Sequence, residues 1–155
     1  MELKQFLKQW AFDRFSDQEI SQLSGLMTLS MYPNGHVFIA QGQQGEAMYL
    51  LVDGAVEVRR ADEATGEPQE GAELRSGELF GLLSLIDEMP ASATCTAKGA
   101  VTAAALSREG FEKLYEAAPP IGHHLQYMVA VQLARDLQER NKALRALLLR
   151  HKAVA

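Results

Sequence analysis

The sequence predicts a mainly β fold bracketed by helices. Three observations predict it. Apolar residues recur with helical period at the start, short period-2 runs separated by turn residues fill the middle, and a long Pro-free run closes the chain. The divisions fall at 1–26 (N-terminal helices), 27–106 (strands) and 107–150 (C-terminal helices), and all 155 residues are expected to form one domain. Seven or eight short strands at this spacing point to a sandwich or a barrel.

In the first stretch Leu3, Phe6, Leu7 and Trp10 fall on one helix face. "FSDQEI" follows. Ser16 can cap while Glu19 reaches back, and Phe15 and Ile20 stand at the positions of a hydrophobic staple. The spacing predicts a helix from Asp17 to about Ser24, stopped by Gly25. Met27, Leu29 and Met31 then alternate with Thr28 and Ser30 as in a half-buried strand. "YPNGH" is a turn, and "MYLLV-DG-AVEV" reads as a hairpin about Asp53-Gly54. The polar "ADEATGEPQEG" reads as an exposed loop, and further strands are expected near 72–74, 93–97 and 101–106.

Ser107 is the expected cap of a helix whose face carries Phe111, Leu114, Tyr115 and Ala118. Pro119-Pro120 breaks it and starts another, since Pro suits a first helical turn. The run from Ile121 to about Arg150 would span roughly 45 Å at 1.5 Å per residue. That is longer than a domain of this size can cover. Ala134, Leu137, Asn141, Leu144 and Leu148, with Ala130 before them, step by threes and fours as a heptad seam. Asn141 takes an a-type place, where a buried Asn fixes a parallel pair in register. The expectation is a homodimer through this helix; the competing reading is a helix packed on its own domain, with Asn141 in water.

Composition excludes several classes. Net charge is −5, against the basic face that general nucleic-acid binding requires. No apolar run reaches the roughly 18 residues of a membrane span. "MELKQFLKQW" lacks the apolar centre of a secretory signal. With a single cysteine, Cys95, no internal disulfide can form, and a cytoplasmic location is expected. Of the four histidines only His36 lies among the strands; His123 and His124 are neighbours on a helix, about 100° apart, and make poor joint ligands. No metal, cofactor or catalytic residue is therefore assigned. Cys95, in "SATCTA", reads as a small core residue rather than a nucleophile.

"GELFGLLSLIDEMPASATC", residues 77–95, has the outline of a phosphate cradle, yet holds no Lys or Arg. With "YPNGHVFIAQG", "MYLLVDGAVEV", the Phe-Gly at 80–81, "P-x-S-A-T" at 90–94 and "LSREGFEKL" at 106–114, it resembles the cyclic-nucleotide-binding domain, the sensor part of catabolite-activator-type regulators. The resemblance spans nearly the whole chain and implies an eight-stranded jelly-roll β-barrel with N-terminal helices and a long C-terminal helix. It places the ligand pocket at Gly77, Phe80, Gly81, Leu82, Leu83, Ser84, Ala91, Ser92 and Ala93, with Tyr127, Met128 and Val131 as a lid. The family usually carries a Glu just after the Phe-Gly, for the ribose hydroxyl, and an Arg just after the Pro, for the cyclic phosphate. Here those positions hold Leu82 and Ala91.

Magnitudes make the departure matter. A lost desolvated charge pair costs roughly 2–5 kcal/mol, and an unpaired buried hydroxyl about 1–3 kcal/mol more. Affinity falls by about two to six powers of ten. A cation from elsewhere could compensate, with Arg59, Arg75 and Lys98 as candidates. The expected function is a non-catalytic sensor or regulatory domain that does not bind cyclic AMP or cyclic GMP in the usual way. Its partners would be a small-molecule effector (a cyclic nucleotide or an altered ligand), a second copy of the chain through the C-terminal helix and a protein effector. No DNA-binding helix-turn-helix follows the long helix before Ala155, so no nucleic acid is expected to bind this chain alone. The alternatives are a protein-interaction module with no small ligand and a cupin-like metal enzyme.

Overall fold

The computed structural model describes residues 2–11, 14–62, 64–68, 71–82, 85 and 89–154. Two short helices come first, α1 (Leu3–Trp10) and α2 (Asp17–Leu26). Among the described residues six strands follow: β1 (Met27–Tyr32), β2 (Val37–Ile39), β3 (Ala47–Arg59), β4 (Ala72–Leu74), β5 (Leu79–Phe80) and β6 (Thr94–Ser107). Helices α3 (Arg108–Ala117) and α4 (Pro119–Val154) close the chain. All strand pairs are antiparallel, in the order β1-β6-β3-β4, with β2 on β6 and β5 on β3. This is the mainly β architecture with flanking helices that the sequence predicts.

The helix ends obey local chemistry. Glu19 N–H donates to Ser16 Oγ at 3.1 Å, and Ser16 N–H donates to Glu19 Oε1 at 3.0 Å, closing the capping box. Phe15 and Ile20 on either side are both buried in one core. Ser107 Oγ accepts from Gly110 N–H at 3.0 Å and starts α3. Gly25 does not end α2, which runs one residue further and passes directly into β1.

The Asp53-Gly54 hairpin does not form. β3 is continuous and pairs with β6 from Ala47↔Ser107 to Arg59↔Thr94, with register shifts between Leu51 and Ala55. Gly54 does adopt the positive φ (97°) that a turn would demand, but it spends it on a bulge. The segments expected at 93–97 and 101–106 are likewise one strand. Counting the halves of β3 and β6 on either side of their irregularities recovers the eight segments of the jelly roll. A Cβ at Gly54 would lie 2.5 Å from the Ala100 carbonyl oxygen. Gly54→Ala is therefore expected to lower stability by at least roughly 1–3 kcal/mol, the cost of a strained backbone residue. Urea unfolding with a lower midpoint and unchanged slope checks this.

Alternation along β3 and β6 divides the interior in two. Met48, Leu50, Ala104 and Leu106 point to the helices and pack with Leu7, Leu23, Leu114, Ile121 and Leu125. Leu51, Val56, Cys95, Val101 and Ala103 point the other way, with Ile39, Leu74 and Phe80. β1 meets the helix-side core only at its start, and its last residue, Tyr32, packs against the other core. Met27 is buried, but Leu29 and Met31 are 41% and 81% exposed, because the strand runs beyond the helices that cover Met27.

Trp10 fastens α1 to the turn between β4 and β5, donating from Nε1 to the Gly77 carbonyl at 2.9 Å. His124 on α4 packs edge-on against Trp10 and Phe15, and its Nδ1 lies 3.2 Å from Arg14 Nη1, which can only donate. Burial, aided by the Arg14 charge, holds the His124 pKa below the usual imidazole value. The unfolded chain therefore takes up a proton first as pH falls through about 6.5. Stability that is complete above that pH is lost below it. His124→Gln keeps an acceptor without titrating. It is expected to flatten the fall in thermal midpoint between about pH 7 and pH 5; an equally steep fall would clear His124 of the effect.

Candidate ligand pocket

The residues from β5 to β6 build a cavity of about 180 Å³. The floor comes from β strands: Ile39, Val58, Leu74, Leu79, Phe80 and Cys95. Gly81, Leu82, Ala91, Ser92 and Ala93 form the rim, and Val129 and Leu133 of α4 close one side. Gly81 has φ 88°, and a Cβ there would lie 2.7 Å from the Ala47 carbonyl oxygen and 2.9 Å from Ile39 Cδ1. Only glycine lets the chain turn this close to the sheet.

Backbone and side-chain bonds set the rim. Gly42 N–H donates to Ala91 O and Ala91 N–H to Gln43 O, both at 2.9 Å. Arg108 donates to the Leu85 and Gly45 carbonyls at 3.2 and 3.4 Å, tying Leu85 to the loop before β3. Burial pushes the Cys95 thiol up to about 11, so at neutral pH it is a protonated wall group rather than a nucleophile.

Of the residues that sequence reasoning placed here, Phe80, Gly81, Leu82, Ala91, Ser92 and Ala93 line the cavity. Leu83 and Ser84 lie outside the described residues. Gly77 is elsewhere: its carbonyl holds Trp10 and its N–H donates to Leu51 O at 2.8 Å. The lid residues also differ. Tyr127 is exposed and stacks near His124, Met128 packs on the helical core, and Val131 does not line the cavity. At about 100° per residue, the face that looks into the pocket is that of Val129 and Leu133.

The three candidate cations are engaged away from the pocket. Arg59 pairs with Glu57 at 2.8 Å, while Arg75 and Lys98 both pair with Glu73, at 3.2 and 3.6 Å. The cation that does line it among the described residues is Arg60, which sequence reasoning missed. A signal was available. Val56 is buried in the sheet core and Val58 lines the pocket, so Arg60 continues the same face of the strand. Among the described residues no three of His, Cys, Asp and Glu lie together as a metal site, and no helix is long and apolar enough to cross a membrane.

An antiparallel roll with an apolar cleft, closed on one side by a long helix, is the architecture of a regulatory sensor domain. Comparison with known proteins agrees. The family described as "Cyclic nucleotide-binding domain" matches residues 29–118. The cyclic AMP receptor protein of Thermus thermophilus is 34% identical over 128 residues, 83% of this chain and 57% of that protein. The crystal structure of the Thermus thermophilus catabolite activator protein superposes with a TM-score of 0.73 at 33% identity, over 89% of this chain and 62% of that one. The regulatory subunit of a cAMP-independent protein kinase A from Trypanosoma brucei superposes with a TM-score of 0.67 at 25% identity, over 79% and 45%. The chain belongs to the cyclic nucleotide-binding domain family. It spans 13%, 57% and 27% of the length of three curated relatives it matches.

Proposed function

We propose that residues 1–155 act as one non-catalytic regulatory domain that does not take cyclic AMP or cyclic GMP in the family's usual way. The observation that carries this is the pair Leu82 and Ala91. Both stand on the pocket wall, at the positions where the family resemblance expects the Glu for ribose and the Arg for phosphate. Leu82 is 1% exposed and belongs to the core as well as to the wall, so an aliphatic group is built into the site. The likeness to a cAMP-independent kinase regulatory subunit supports a fold that serves without the usual ligand. The open cavity favours a small effector over a scaffold whose own side chains fill the site.

The output in this reading is a homodimer formed along α4, acting on a protein effector in the cytoplasm. Ala134, Leu137, Asn141, Leu144 and Leu148 are all exposed in the single chain. Val129 and Leu133 put the same helix on the pocket wall, so that occupancy reaches the seam. Calorimetric titration of the chain with cyclic AMP and with cyclic GMP tests the pocket reading. No submicromolar binding is expected; submicromolar affinity for either would overturn it.

A further inference from the structure

We propose that the pocket takes a small monocarboxylate with an apolar body, held at its head by Arg60. The inference rests on the reading above that cyclic nucleotides are not the ordinary ligands of this site. Arg60 is partly buried, and among the described residues no ion pair or hydrogen bond engages its guanidinium. The neighbouring cations Arg59, Arg75 and Lys98 each have a glutamate. A guanidinium on the wall of a mainly apolar cavity, with no counter-charge among the described residues, is less well solvated than a free one, and an anionic ligand relieves that.

The backbone beside Arg60 is held in place. Gln41 clamps both polar groups of Ala61: its Nε2 donates to the Ala61 carbonyl and its Oε1 accepts from the Ala61 N–H, each at 2.8 Å. Gln41 N–H in turn donates to Thr94 Oγ1 at 3.0 Å, on the strand that carries Cys95. The chain next to the charge is thus ordered before any ligand arrives, which lowers the entropy lost on binding.

Charge and shape select the ligand class. One cation among the described lining residues suits one negative charge, and a planar carboxylate accepts two parallel N–H bonds from the guanidinium fork. The rest of the lining is mainly apolar, with Leu79 and Phe80 on the floor, Leu82 on the rim and Val129 and Leu133 on the helix side; Ser92 is its one side-chain hydroxyl among the described residues. Sugar hydroxyls placed against the apolar walls would go unpaired. A hydrocarbon chain or aryl ring would not. The space of about 180 Å³ far exceeds the roughly 10–15 Å³ that one water needs.

The test is calorimetric titration of the full chain with octanoate and with its uncharged twin octanamide, on wild type, Arg60→Gln and Arg60→Lys. Octanoate is expected to bind wild type, to weaken at least tenfold in Arg60→Gln and to fall between the two in Arg60→Lys. Octanamide is expected to bind all three alike and more weakly. Methyl shifts at Val129 and Leu133 on adding octanoate would support the pocket as the binding place. Equal binding of octanoate and octanamide to wild type, or unchanged octanoate affinity in Arg60→Gln, would overturn the proposal. If neither octanoate nor cyclic AMP binds wild type, the carboxylate inference fails while the reading of the degenerate cassette stands. If cyclic AMP binds tightly, that reading fails and takes the inference with it.

Discussion

Replacing Leu82 by Glu and Ala91 by Arg together is expected to convert the pocket into a cyclic AMP site, with affinity raised by about two to six powers of ten over wild type. The frame already exists. Gly81 turns against the Ala47 carbonyl, Ala91 is pinned through its N–H and C=O to Gln43 and Gly42, and Ser92 lies on the rim. Only the charged groups are missing. The guanidinium should supply the larger share, since a desolvated charge pair is worth roughly 2–5 kcal/mol and the ribose contact about 1–3 kcal/mol. Ala91→Arg alone should therefore recover much of the gain.

Leu82→Glu alone should behave differently. It removes a buried side chain worth about 1.5–3 kcal/mol and puts an unpaired carboxylate in its place. Lower thermal stability without cyclic AMP binding is expected from that single change. Calorimetry across the four proteins checks the set. Tight binding by wild type, or none by the double variant, would show that the two positions do not govern the site.

Leu144→Asp is expected to dissociate the proposed dimer, raising its dissociation constant by roughly a thousandfold or more. In the single chain Leu137, Leu144 and Leu148 are 61%, 54% and 55% exposed, while α4 extends about 54 Å at 1.5 Å per residue. That leaves an apolar stripe beyond the reach of the domain's own core. Pairing two such helices would bury each leucine twice, once per protomer, at about 1.5–3 kcal/mol for a complete burial. An aspartate at one layer forfeits two of these contributions and sets two like charges face to face. Within the monomer the residue is solvent-exposed, so the loss there is limited to a few tenths of a kcal/mol in helix propensity, roughly. Sedimentation equilibrium with far-UV circular dichroism separates the two effects. A wild type that stays monomeric at high concentration would remove the dimer from the account. Asn141→Leu is a useful companion, because it should tighten association while relaxing its orientation.

Local chemistry was legible in the residues alone. The Ser16/Glu19 box, the Ser107 cap, the apolar face of α1 and the Pro119 start of α4 each depend on groups within a few positions, and each stands where the pattern puts it. The alternating runs located the strand segments for the same reason. The substitutions at 82 and 91 were also readable, because a motif places them by count along the chain.

Tertiary structure decided what depends on partners far away in sequence. Asp53-Gly54 is a good turn by local preference, yet β6 offers β3 a partner along its whole length, and extending the pairing buries Leu51 and Val56 together. Positive φ at Gly54 serves a bulge as readily as a hairpin. Which face of α4 meets the pocket was settled by where His124 docks against Trp10 and Phe15, which sets Val129 and Leu133 along the cavity and Tyr127 away from it. Arg60 was left at the cavity while Arg59, one residue earlier, found Glu57 on the other face of the strand. Hydrogen-bonding and capping preferences act over a turn or two, so a sequence states them directly; burial and charge pairing depend on groups that folding alone brings into contact.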